Sequence, residues 1–597
     1  MRLYALSKRP HVYLQEIILQ VFKKQFVIFR RKNMKRIIAL LLCVVSVMSL
    51  FAACGGGAEK TGNKGSDGPV TLTIGIPKSS MVSDYYNNYY TQWLEEKTGY
   101  KLEFQFFATG AQDYKTQLST MIAGNRTLPD ILLGFDLGTD LYERYGRDGV
   151  FVDLAPYFND EEASAIWWER FRLTDEYSQE NNWRRMQAAD GSGAIYAFPE
   201  LQDSMIDIMD YQVWINKAWL DKLKLEMPTN PDELYTVLKA FKEQDPNGNG
   251  LPDEIPLTGT SGALSGQTMS WLINMFIYWD RNIHFNVDET GKLYSPYRED
   301  AYREALKYVR KLIKEGLMAS QVLTSSSANE MKQLVTPAEG GSQLAGVVCG
   351  HLTLCFVQDD PGILNYEALP MWGNCIFHEN THNFTTFVTR DCQNVDAAWN
   401  LLMTMTTEES AVIQRYGKQG TPEEGGTWTW APEGTESIMS TSEKPHAAQI
   451  RLYKDTWSTI GNDNWRNVEA TILLNAEGEG NQAVPEEETE VRQHKYDLFN
   501  QALANYNKQI AEHNPKDELI CPLLVWSAEY KEEGKAAADD CKTIVSRYRT
   551  DFCLGTKDIN DDKAWSEYLA ELDAKGYDMW LFYSQATYDE TMAAKNG

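Results

Sequence analysis

The order of apolar and polar residues divides the first part of the chain into alternating strands and helices. Apolar runs predict strands at residues 70–76, 102–107 and 130–135, with helices between them near 87–97 and 114–123. Strands that alternate with helices at this spacing are typical of a parallel sheet covered by helices. The pattern therefore predicts an α/β fold that begins near residue 70.

A helix start is recognisable at residues 229–233. Asn230 is expected to be the N-cap, Pro231 fits the first helical position, and Glu233 is placed to complete a capping box. The apolar face that follows consists of Leu234, Leu238 and Phe241. Further helices are predicted at residues 299–315, 395–417, 488–512, 536–549 and 563–575.

The composition is that of a large, acidic, globular protein. The chain has 597 residues, of which 84 are acidic and 57 basic, and its net charge is −27. This length predicts two to four domains, and the acidic excess excludes a general nucleic-acid binder, which needs a basic face. Only one long apolar stretch occurs, which excludes a multi-span membrane protein. Aromatic residues make up 12% of the chain, which indicates large cores or ring-stacking surfaces.

The first 53 residues differ from the rest in charge. They carry ten basic residues and one acidic residue, which leaves 83 acidic and 47 basic residues and a net charge of −36 in the remainder. Residues 34–36 form a basic n-region, and residues 37–51 form an apolar run that is short for a membrane span. Residues 34–53 are therefore predicted to be a lipoprotein signal peptide. Residues 1–33, whose basic residues interrupt the apolar pattern, are predicted to be a start-site artefact or an extended n-region.

The segment that ends the signal peptide resembles a bacterial lipobox, because small residues directly precede Cys54. The resemblance implies cleavage before Cys54 and lipidation of its thiol, and the alternative is an ordinary signal peptide with an incidental cysteine. Residues 54–69 are rich in Gly, Ser and charged residues and are predicted to be a tether. The seven later cysteines show neither a CxxC spacing nor a disulfide pattern, so most are expected to be buried thiols, with one or two bridges left open.

Residues 245–254 form an acidic, glycine-containing loop that is similar to a calcium-binding loop. Side-chain oxygens occur at positions 1, 3, 5, 9 and 10, a main-chain carbonyl is available at position 7, and Gly250 at position 6 permits a sharp turn. Position 12, where an EF-hand has a bidentate Glu, is Pro256. We expect a structural calcium site here, and the alternative is a polar turn that binds nothing.

The sequence His378-Glu379-Asn380-Thr381-His382 matches the zinc-peptidase pattern HExxH. That chemistry needs a helix, so that both His bind zinc from one face and the Glu acts as general base. Here the motif follows a loop, precedes a predicted strand and contains poor helix formers. A polar loop is the preferred interpretation, and a secreted zinc metallopeptidase is the alternative function.

The lipobox, the tether and five further segments together resemble the extracellular solute-binding proteins of ABC importers, in particular the sugar-binding group called family 1. The five segments are residues 128–132, 149–154, 193–199, 213–223 and 416–420. The acidic loop is similar to that of calcium-containing alginate-binding members. That resemblance implies a ligand set made up of Asp245, Asn247, Asn249, the carbonyl of Leu251, Asp253 and Glu254.

This resemblance implies a type II periplasmic-binding-protein-like fold, in which two α/β lobes are joined by a hinge with the ligand cleft between them. The expected first lobe is 70–195 plus 382–424, the second is 196–381 plus 425–510, and the helices of 511–597 brace both. The implied function is a non-enzymatic, monomeric receptor, lipid-anchored on the outer face of the bacterial cell membrane, that delivers an oligosaccharide to an ABC importer. Another solute, such as a peptide, and a surface adhesion protein remain as alternatives.

Cleft residues are expected in loops at the carboxyl ends of strands. Sugar binding needs aromatic rings for stacking and carboxylate or amide groups for the hydroxyls. The net negative charge of the chain after residue 53 disfavours binding of an anionic sugar, whereas the resemblance to alginate-binding proteins favours one. The predicted ligand-binding residues are Ser79, Ser80, Phe135, Asp136, Gln202, Asp203, Trp271, Trp372 and Asn374.

Overall fold

The computed structural model describes most of the chain from residue 68 onward, and residues 69–597 form one compact unit. The described residues are 68–596 without 174–175, 189–190, 203–208, 262–266, 325–327, 337–340, 357–359, 377–381, 439, 441–446, 455–459, 467–471, 475–481, 485–489 and 525. The signal peptide, Cys54 and nearly all of the tether therefore lie outside the described residues.

Strands and helices alternate through most of the described chain. The strands are β1 (Thr71–Pro77), β2 (Lys101–Phe107), β3 (Ile131–Leu132), β4 (Phe198–Gln202), β5 (Val213–Asn216), β6 (Ile255–Gly259), β7 (Asn286–Val287), β8 (Leu293–Tyr294), β9 (Ala345–Cys349), β10 (Tyr366–Ala368), β11 (His382–Val388), β12 (Trp428–Trp430), β13 (Ile450–Leu452) and β14 (Ile472–Leu473).

Helices cover the sheets and make up most of the carboxyl-terminal part. They are α1 (Tyr89–Thr98), α2 (Ala111–Ala123), α3 (Thr139–Arg147), α4 (Ala155–Phe158), α5 (Ala165–Phe171), α6 (Glu176–Met186), α7 (Lys217–Leu223), α8 (Pro231–Glu243), α9 (Thr268–Asn274), α10 (Asp300–Lys314), α11 (Ala328–Val335), α12 (Leu352–Cys355), α13 (Val395–Thr406), α14 (Glu408–Tyr416), α15 (Glu490–His513), α16 (Ala528–Leu554), α17 (Asp562–Ala574) and α18 (Tyr577–Asn596). Within the described part of the chain, none of them combines the length and apolarity needed to cross a bilayer.

The first sheet has six strands in the order β14-β4-β11-β3-β1-β2. β1 runs parallel to β2 and β3, whereas β11 lies antiparallel between β3 and β4. Leu72, Ile74 and Ile76 of β1 are buried, as the alternation predicted. We call this sheet with its helices the first lobe.

The second sheet has four strands in the order β10-β5-β9-β6, and we call it with its helices the second lobe. β6 and β9 are parallel, and the pairs β5–β9 and β5–β10 are antiparallel. Two separate ribbons, β7–β8 and β12–β13, complete the strand pairing of the described residues. Two sheets, each covered by helices, confirm the predicted α/β fold.

The connections between the sheets bring particular strand ends together. The carboxyl end of β4 leads to the amino end of β5, and the carboxyl end of β10 leads back to the amino end of β11. Because β11 is antiparallel to β3 and β4, its amino end lies at the carboxyl-end edge of the first sheet. Both connections therefore run between the same two sides of the sheets. One is the edge of the first sheet at which β1, β3 and β4 end, and the other is the edge of the second sheet at which β6, β9 and β10 end.

The lobe boundaries differ from the predicted ones after residue 424. β14 pairs with β4, and Trp428, Ile450 and Trp465 are buried in the core of the first lobe, so this stretch does not belong to the second lobe. The sequence pattern missed it because such short strands are defined by their tertiary partners rather than by local alternation. Helix α15 packs on the second lobe.

The carboxyl-terminal helices pack on the core of the second lobe rather than equally on both lobes. Buried residues of α16, α17 and α18 belong to the same apolar cluster as the four-stranded sheet. Their ion pair with the first lobe joins Lys531 of α16 to Glu143 of α3, with 3.6 Å between Nζ and Oε2. The carboxyl-terminal helices therefore brace mainly the second lobe, whereas the prediction was that they brace both lobes.

Several predicted helices are present with adjusted ends. Asn230 caps α8, since its Oδ1 accepts from the Glu233 N–H at 2.9 Å. Glu233 reaches back to the main chain of Thr229 rather than to Asn230, with 2.8 Å between N and Oε2. The helix predicted at 395–417 is two helices, because Thr407 is extended and caps α14 through Ser410.

Candidate functional site

The carboxyl-end edge of the first sheet gathers several predicted ligand residues at the main-chain level. Ser79 and Ser80 follow β1, Phe135 and Asp136 follow β3, and Gln202 ends β4. Asp203 lies outside the described residues. The rule that ligand residues follow parallel strands thus brought these positions to one edge, although their side chains differ in availability.

The two serines after β1 form part of a tight turn. The Ser79 hydroxyl oxygen accepts from the Met81 N–H at 3.1 Å, and the Ser79 N–H donates to the Tyr85 hydroxyl at 3.0 Å. Ser80 is exposed. Ser79 therefore shapes the turn, and Ser80 is the one of the two that faces solvent.

Phe135 does not line a cleft, so that prediction is wrong in this conformation. Its ring is fully buried and packs edge-on against Phe107 at 4.9 Å and Tyr114 at 5.0 Å between centroids. A ring directly after β3 is drawn into the apolar layer beneath α2, since that position faces the core. The neighbouring Asp136 is exposed, and its Oδ1 accepts from the Gly138 N–H at 3.2 Å.

The predicted residues of the second lobe are mostly structural. Trp271 on α9 is buried in the core of the second lobe, so its assignment to the cleft is wrong. Trp372 is half-buried, and its Nε1–H has no hydrogen-bond partner among the described residues. Asn374 holds the connection from β10 to β11, because its N–H donates to the Asn274 carbonyl and its own carbonyl accepts from the Tyr211 hydroxyl, both at 2.8 Å.

Two partly exposed aromatic rings, Tyr86 and Phe106, lie close to β2 of the first sheet. Tyr86 is 46% exposed and Phe106, near the carboxyl end of β2, is 38% exposed. Phe104 lies between them, stacked on Phe106 at 6.1 Å and edge-on to Tyr86 at 5.3 Å. The Lys78 ammonium lies 5.3 Å from the centroid of Phe106, which ties this cluster to the turn after β1. The period-two alternation of 104 and 106 at a strand end was the signal available in the sequence.

A charged pair lies at the facing edge of the second lobe. Asp210, just before β5, has a side chain that is only 1% exposed, and its Oδ1 lies 3.3 Å from Nε of Arg281, whose side chain is 40% exposed. The Asp210 carbonyl accepts from the Gln267 N–H at 3.4 Å, directly before α9. No sequence motif marks this pair, since its two members are 71 residues apart.

The acidic loop has the compact turn expected of a cation-binding loop. Gly248 and Gly250 have φ values of +76° and +77°, which favour glycine. The Asp245 carboxylate accepts from the N–H groups of both glycines, at 2.9 and 3.1 Å. The Asn249 side-chain oxygen accepts from the Leu251 N–H at 2.7 Å. These hydrogen bonds hold this short stretch of chain, which contains the predicted oxygen ligands, in a tight turn.

In the described structure, the carboxylates of the loop differ in whether their oxygens accept hydrogen bonds. Asp253 accepts from the side-chain amides of Asn247 and Asn249 at 3.0–3.1 Å. Glu254 Oε1 is buried without a hydrogen-bond partner in the described structure. Burial raises the pKa of Glu254, and the nearby charges of Asp245 and Asp253 raise it further. A buried carboxylate oxygen facing two other carboxylates fits a divalent cation, which would neutralise that charge.

Amide and carbonyl oxygens are needed to complete any such site. Among the described residues, no three His, Cys, Asp or Glu side chains converge in a way that could hold a metal ion. The predicted ligand set includes Asn247, Asn249 and the Leu251 carbonyl, which suit calcium rather than zinc. The residues present therefore fit a hard cation held mainly by neutral oxygens.

Only the last residue of the HExxH segment lies in the described part of the chain. His378 and Glu379 lie outside the described residues, and His382 is the first residue of β11, paired with Leu201 of β4. A histidine on a strand does not lie one helical turn from its partner. The described part of the motif therefore belongs to the strand that the sequence predicted after it.

The seven cysteines of the described chain are free and buried, as expected for most of them. The one or two bridges left open by the sequence are not formed. Burial raises the pKa of Cys349 and of Cys553 to about 12. These thiols are therefore protonated at physiological pH and are packing groups rather than nucleophiles.

Comparison with known sequences identifies the family to which this arrangement belongs. The model of the bacterial extracellular solute-binding protein family matches residues 79–411. The fructooligosaccharide ABC transporter substrate-binding protein FusA of Streptococcus pneumoniae is 40% identical over 138 residues, which span 22% of this chain and a quarter (25%) of that relative. Lipoprotein LipO of Bacillus subtilis is 21% identical over 533 residues, covering 87% of this chain and 90% of LipO.

Solved structures show the same fold. FusA of S. pneumoniae in complex with kestose superposes with a TM-score of 0.66 at 20% identity and covers 88% of this chain and 100% of its own. The alginate-binding protein AlgQ2, solved without calcium ion, gives a TM-score of 0.58 at 21% identity over 88% and 99% of the two chains. A further FusA structure is of an EF-hand mutant. These similarities confirm the predicted type II fold, and the descriptions of two of these structures mention an EF-hand and a calcium ion.

Proposed function

This chain belongs to the bacterial extracellular solute-binding protein family, and on that basis we propose that it captures an oligosaccharide outside the cell and delivers it to an ABC importer. It is a binding protein and not an enzyme. The observation that carries the sugar proposal is the partly exposed ring of Phe106 near the carboxyl end of β2, together with the partly exposed ring of Tyr86, whose hydroxyl contacts Glu103 and Phe104 of the same strand. The proposed receptor acts as a monomer, since each lobe supplies one wall of the site.

The physical argument for a sugar rests on the chemistry of the two edges. Aromatic faces offer apolar contact to the C–H faces of a sugar ring, and apolar surface that is removed from water contributes about 25 cal/mol per Å². Ser80 and Asp136 supply exposed polar groups on the same edge. Closure of the second lobe over these groups would bury the ligand, and the extra contacts would favour the closed state.

The binding test uses calorimetric titration of the purified protein with a panel of neutral and uronate-containing oligosaccharides. We expect Phe106→Ala to weaken oligosaccharide binding by about five- to tenfold, the value for loss of one stacked ring. Phe582→Ala is the matched control, because Phe582 is also exposed but lies on α18 of the second lobe. Equal affinities for the wild type and the Phe106 variant would contradict the role of this edge.

We propose that the acidic loop binds one structural calcium ion through Asp245, Asn247, Asn249, the Leu251 carbonyl, Asp253 and Glu254. The unpartnered, buried oxygen of Glu254 supports this. Calcium would neutralise the negative charge that Asp245 and Asp253 place near the buried Glu254 carboxylate, and it would fix the loop between α8 and β6.

The calcium proposal predicts that chelation lowers the melting temperature of the wild-type protein. A ligand at 100 times its Kd stabilises the native state by about 2.7 kcal/mol. Glu254→Gln should lose the calcium-dependent shift, whereas Asp288→Asn, in the acidic turn between β7 and β8, should keep it. A calcium-independent melting temperature in the wild type would refute the site.

We also propose that Cys54 carries the lipid anchor that holds the protein on the outer face of the cell membrane. The similarity to a lipoprotein supports this placement. Cys54→Ser is expected to move the protein from the membrane fraction to the medium, as measured by fractionation and mass spectrometry. Retention of the serine variant in the membrane fraction would contradict lipidation at Cys54.

A further inference from the structure

We propose that Arg281, oriented by Asp210, binds hydroxyl groups of the ligand, and that this pair makes the receptor selective for neutral over uronate-containing oligosaccharides. The inference rests on the proposed function and adds to it the class of sugar. It assigns a role to two residues that neither the strand-end rule nor the sequence pattern selected.

Three separate chain segments bring the pair to the edge of the second sheet. Asp210 lies in the connection from β4 to β5, and the segment that contains Gln267 follows the carboxyl end of β6. Arg281 comes from the segment between α9 and β7. Carboxyl ends of strands next to a lobe connection are where ligands bind in open α/β sheets.

The geometry leaves the ligand-binding part of the guanidinium available. Asp210 Oδ1 contacts Nε of Arg281 at 3.3 Å, which fixes the plane of the group from one side. This is the polar contact of the Arg281 side chain within the described structure, so Nη1 and Nη2 keep their donors. The side chain is 40% exposed whereas Asp210 is 1% exposed, so the pair presents its arginine to solvent.

The local charge selects hydroxyl groups rather than carboxylates. Asp210 balances Arg281, and the chain neighbour Asp280 adds a second, nearly buried acid. A uronate would therefore meet a neutralised guanidinium within a chain segment of net charge −36 after residue 53. Asp210 cancels most of the attraction between Arg281 and a ligand carboxylate. More distant positive charges cannot replace this attraction, since the Debye length is about 8 Å at physiological salt. Hydroxyl oxygens need donors only, which Nη1 and Nη2 supply.

The test compares calorimetric affinities for neutral and uronate-containing oligosaccharides of equal length across four proteins. Arg281→Gln removes the positive charge and the paired Nη1 and Nη2 donors. Arg281→Lys keeps a charged partner for Asp210 but loses the paired donors. Arg547→Gln is the matched control, because Arg547 also pairs with a carboxylate, Glu571, at similar exposure but on α16. We expect neutral sugars to bind the wild type, both Arg281 variants to bind them at least tenfold more weakly, and the control to be unchanged.

A second readout separates ligand contact from a structural role. Asp210→Asn leaves the arginine uncompensated, so the ratio of uronate to neutral affinity should rise even if overall affinity falls. Melting temperatures measured without sugar show whether each variant is folded, and Arg281→Lys keeps the test decisive if Arg281→Gln is unstable.

The outcomes distinguish this inference from the function on which it rests. A wild type that binds no oligosaccharide overturns both. Neutral-sugar binding that is equal in the wild type, Arg281→Gln and Arg281→Lys overturns the inference alone. Preferential uronate binding by the wild type also overturns it, because the guanidinium would then act as an uncompensated cation.

Discussion

His284 is a buried imidazole whose surroundings keep it neutral. Its Nδ1 lies 2.6 Å from the Tyr297 hydroxyl, and the ring of Trp580 packs edge-on at 5.5 Å. Burial, together with the positive charges of Lys542 and Arg549, lowers the pKa of His284 to about 3. The unfolded chain binds a proton at His284 near the ordinary pKa of about 6.5, whereas the folded protein does not.

This difference predicts a pH-dependent loss of stability. Because the native state binds fewer protons, stability falls as pH drops below about 6.5, and the loss continues towards the folded pKa. In His284→Gln this contribution is absent, so its melting temperature should fall less between pH 6.5 and 4 than that of the wild type. His513→Gln, at an exposed position, is the control. Parallel curves for the wild type and His284→Gln would contradict the burial effect.

The buried thiols give a second residue-scale prediction. A thiolate is the reactive form of cysteine, and burial both raises the pKa and excludes reagent. In protein that lacks residues 1–68, a thiol reagent should label none of the seven cysteines rapidly under native conditions and all seven in denaturant. Rapid labelling of a native cysteine would show that its surroundings open more readily than the packing indicates.

The start of α8 illustrates local control of an element. Asn230 accepts from the Glu233 N–H, and the Glu233 carboxylate accepts from the main chain and hydroxyl of Thr229. Asn230→Ala should lower the free energy of unfolding by about 1 kcal/mol, as for other N-cap side chains. Lys239→Ala on the same helix is the control, since its pair with Glu243 is long and exposed. Equal losses in both variants would show that the cap is not responsible.

Elements with strong local signals could be predicted from the sequence, whereas those made by tertiary pairing could not. Strand β1 and helices α8, α10 and α15 lie within a few residues of their predicted ends, because apolar periodicity and capping residues act locally. β14 and the β12–β13 ribbon were missed, since strands of two or three residues depend on partners far along the chain.

The same distinction applies to the site. The strand-end rule selected positions that share one edge of the first sheet, but burial decides which side chains are available, and burial of Phe135 and Trp271 is set by packing. Periodicity cannot separate a core ring from a surface ring when both follow a strand. The pairing of Arg281 with Asp210 is likewise a tertiary contact without a sequence motif.

At the scale of the whole molecule, one ion pair joins α16 of the second lobe to the first lobe. Glu143 of α3 has a side chain that is only 7% exposed and lies 3.6 Å from both Lys531 and Arg147. A pair that spans the lobes contributes to their relative position as well as to stability. Its partial burial makes it less sensitive to salt than the surface pairs of α16.

Lys531→Ala is therefore expected to favour a more open arrangement of the lobes. Small-angle scattering without sugar should give a larger radius of gyration for this variant, and oligosaccharide affinity should fall by about fivefold, equivalent to about 1 kcal/mol. Lys535→Ala, one turn along α16 and paired locally with Asp539, is the control. An unchanged radius of gyration and affinity in Lys531→Ala would show that the pair does not hold the lobes together.

The positions along the chain at which the strands of the first sheet occur affect how the protein folds during export. A chain that crosses the membrane amino end first delivers all four strands of the second sheet once residue 368 has emerged. The first sheet begins with Thr71 but needs β11 and then β14, which ends at Leu473. β1 pairs with the nearby β2 and β3, but β3 and β4 must wait for β11, which lies much later in the chain. Such distant pairing slows folding and leaves strand edges exposed. The lobe that emerges first is thus completed last, and its early strands are the part of the chain most in need of protection during secretion.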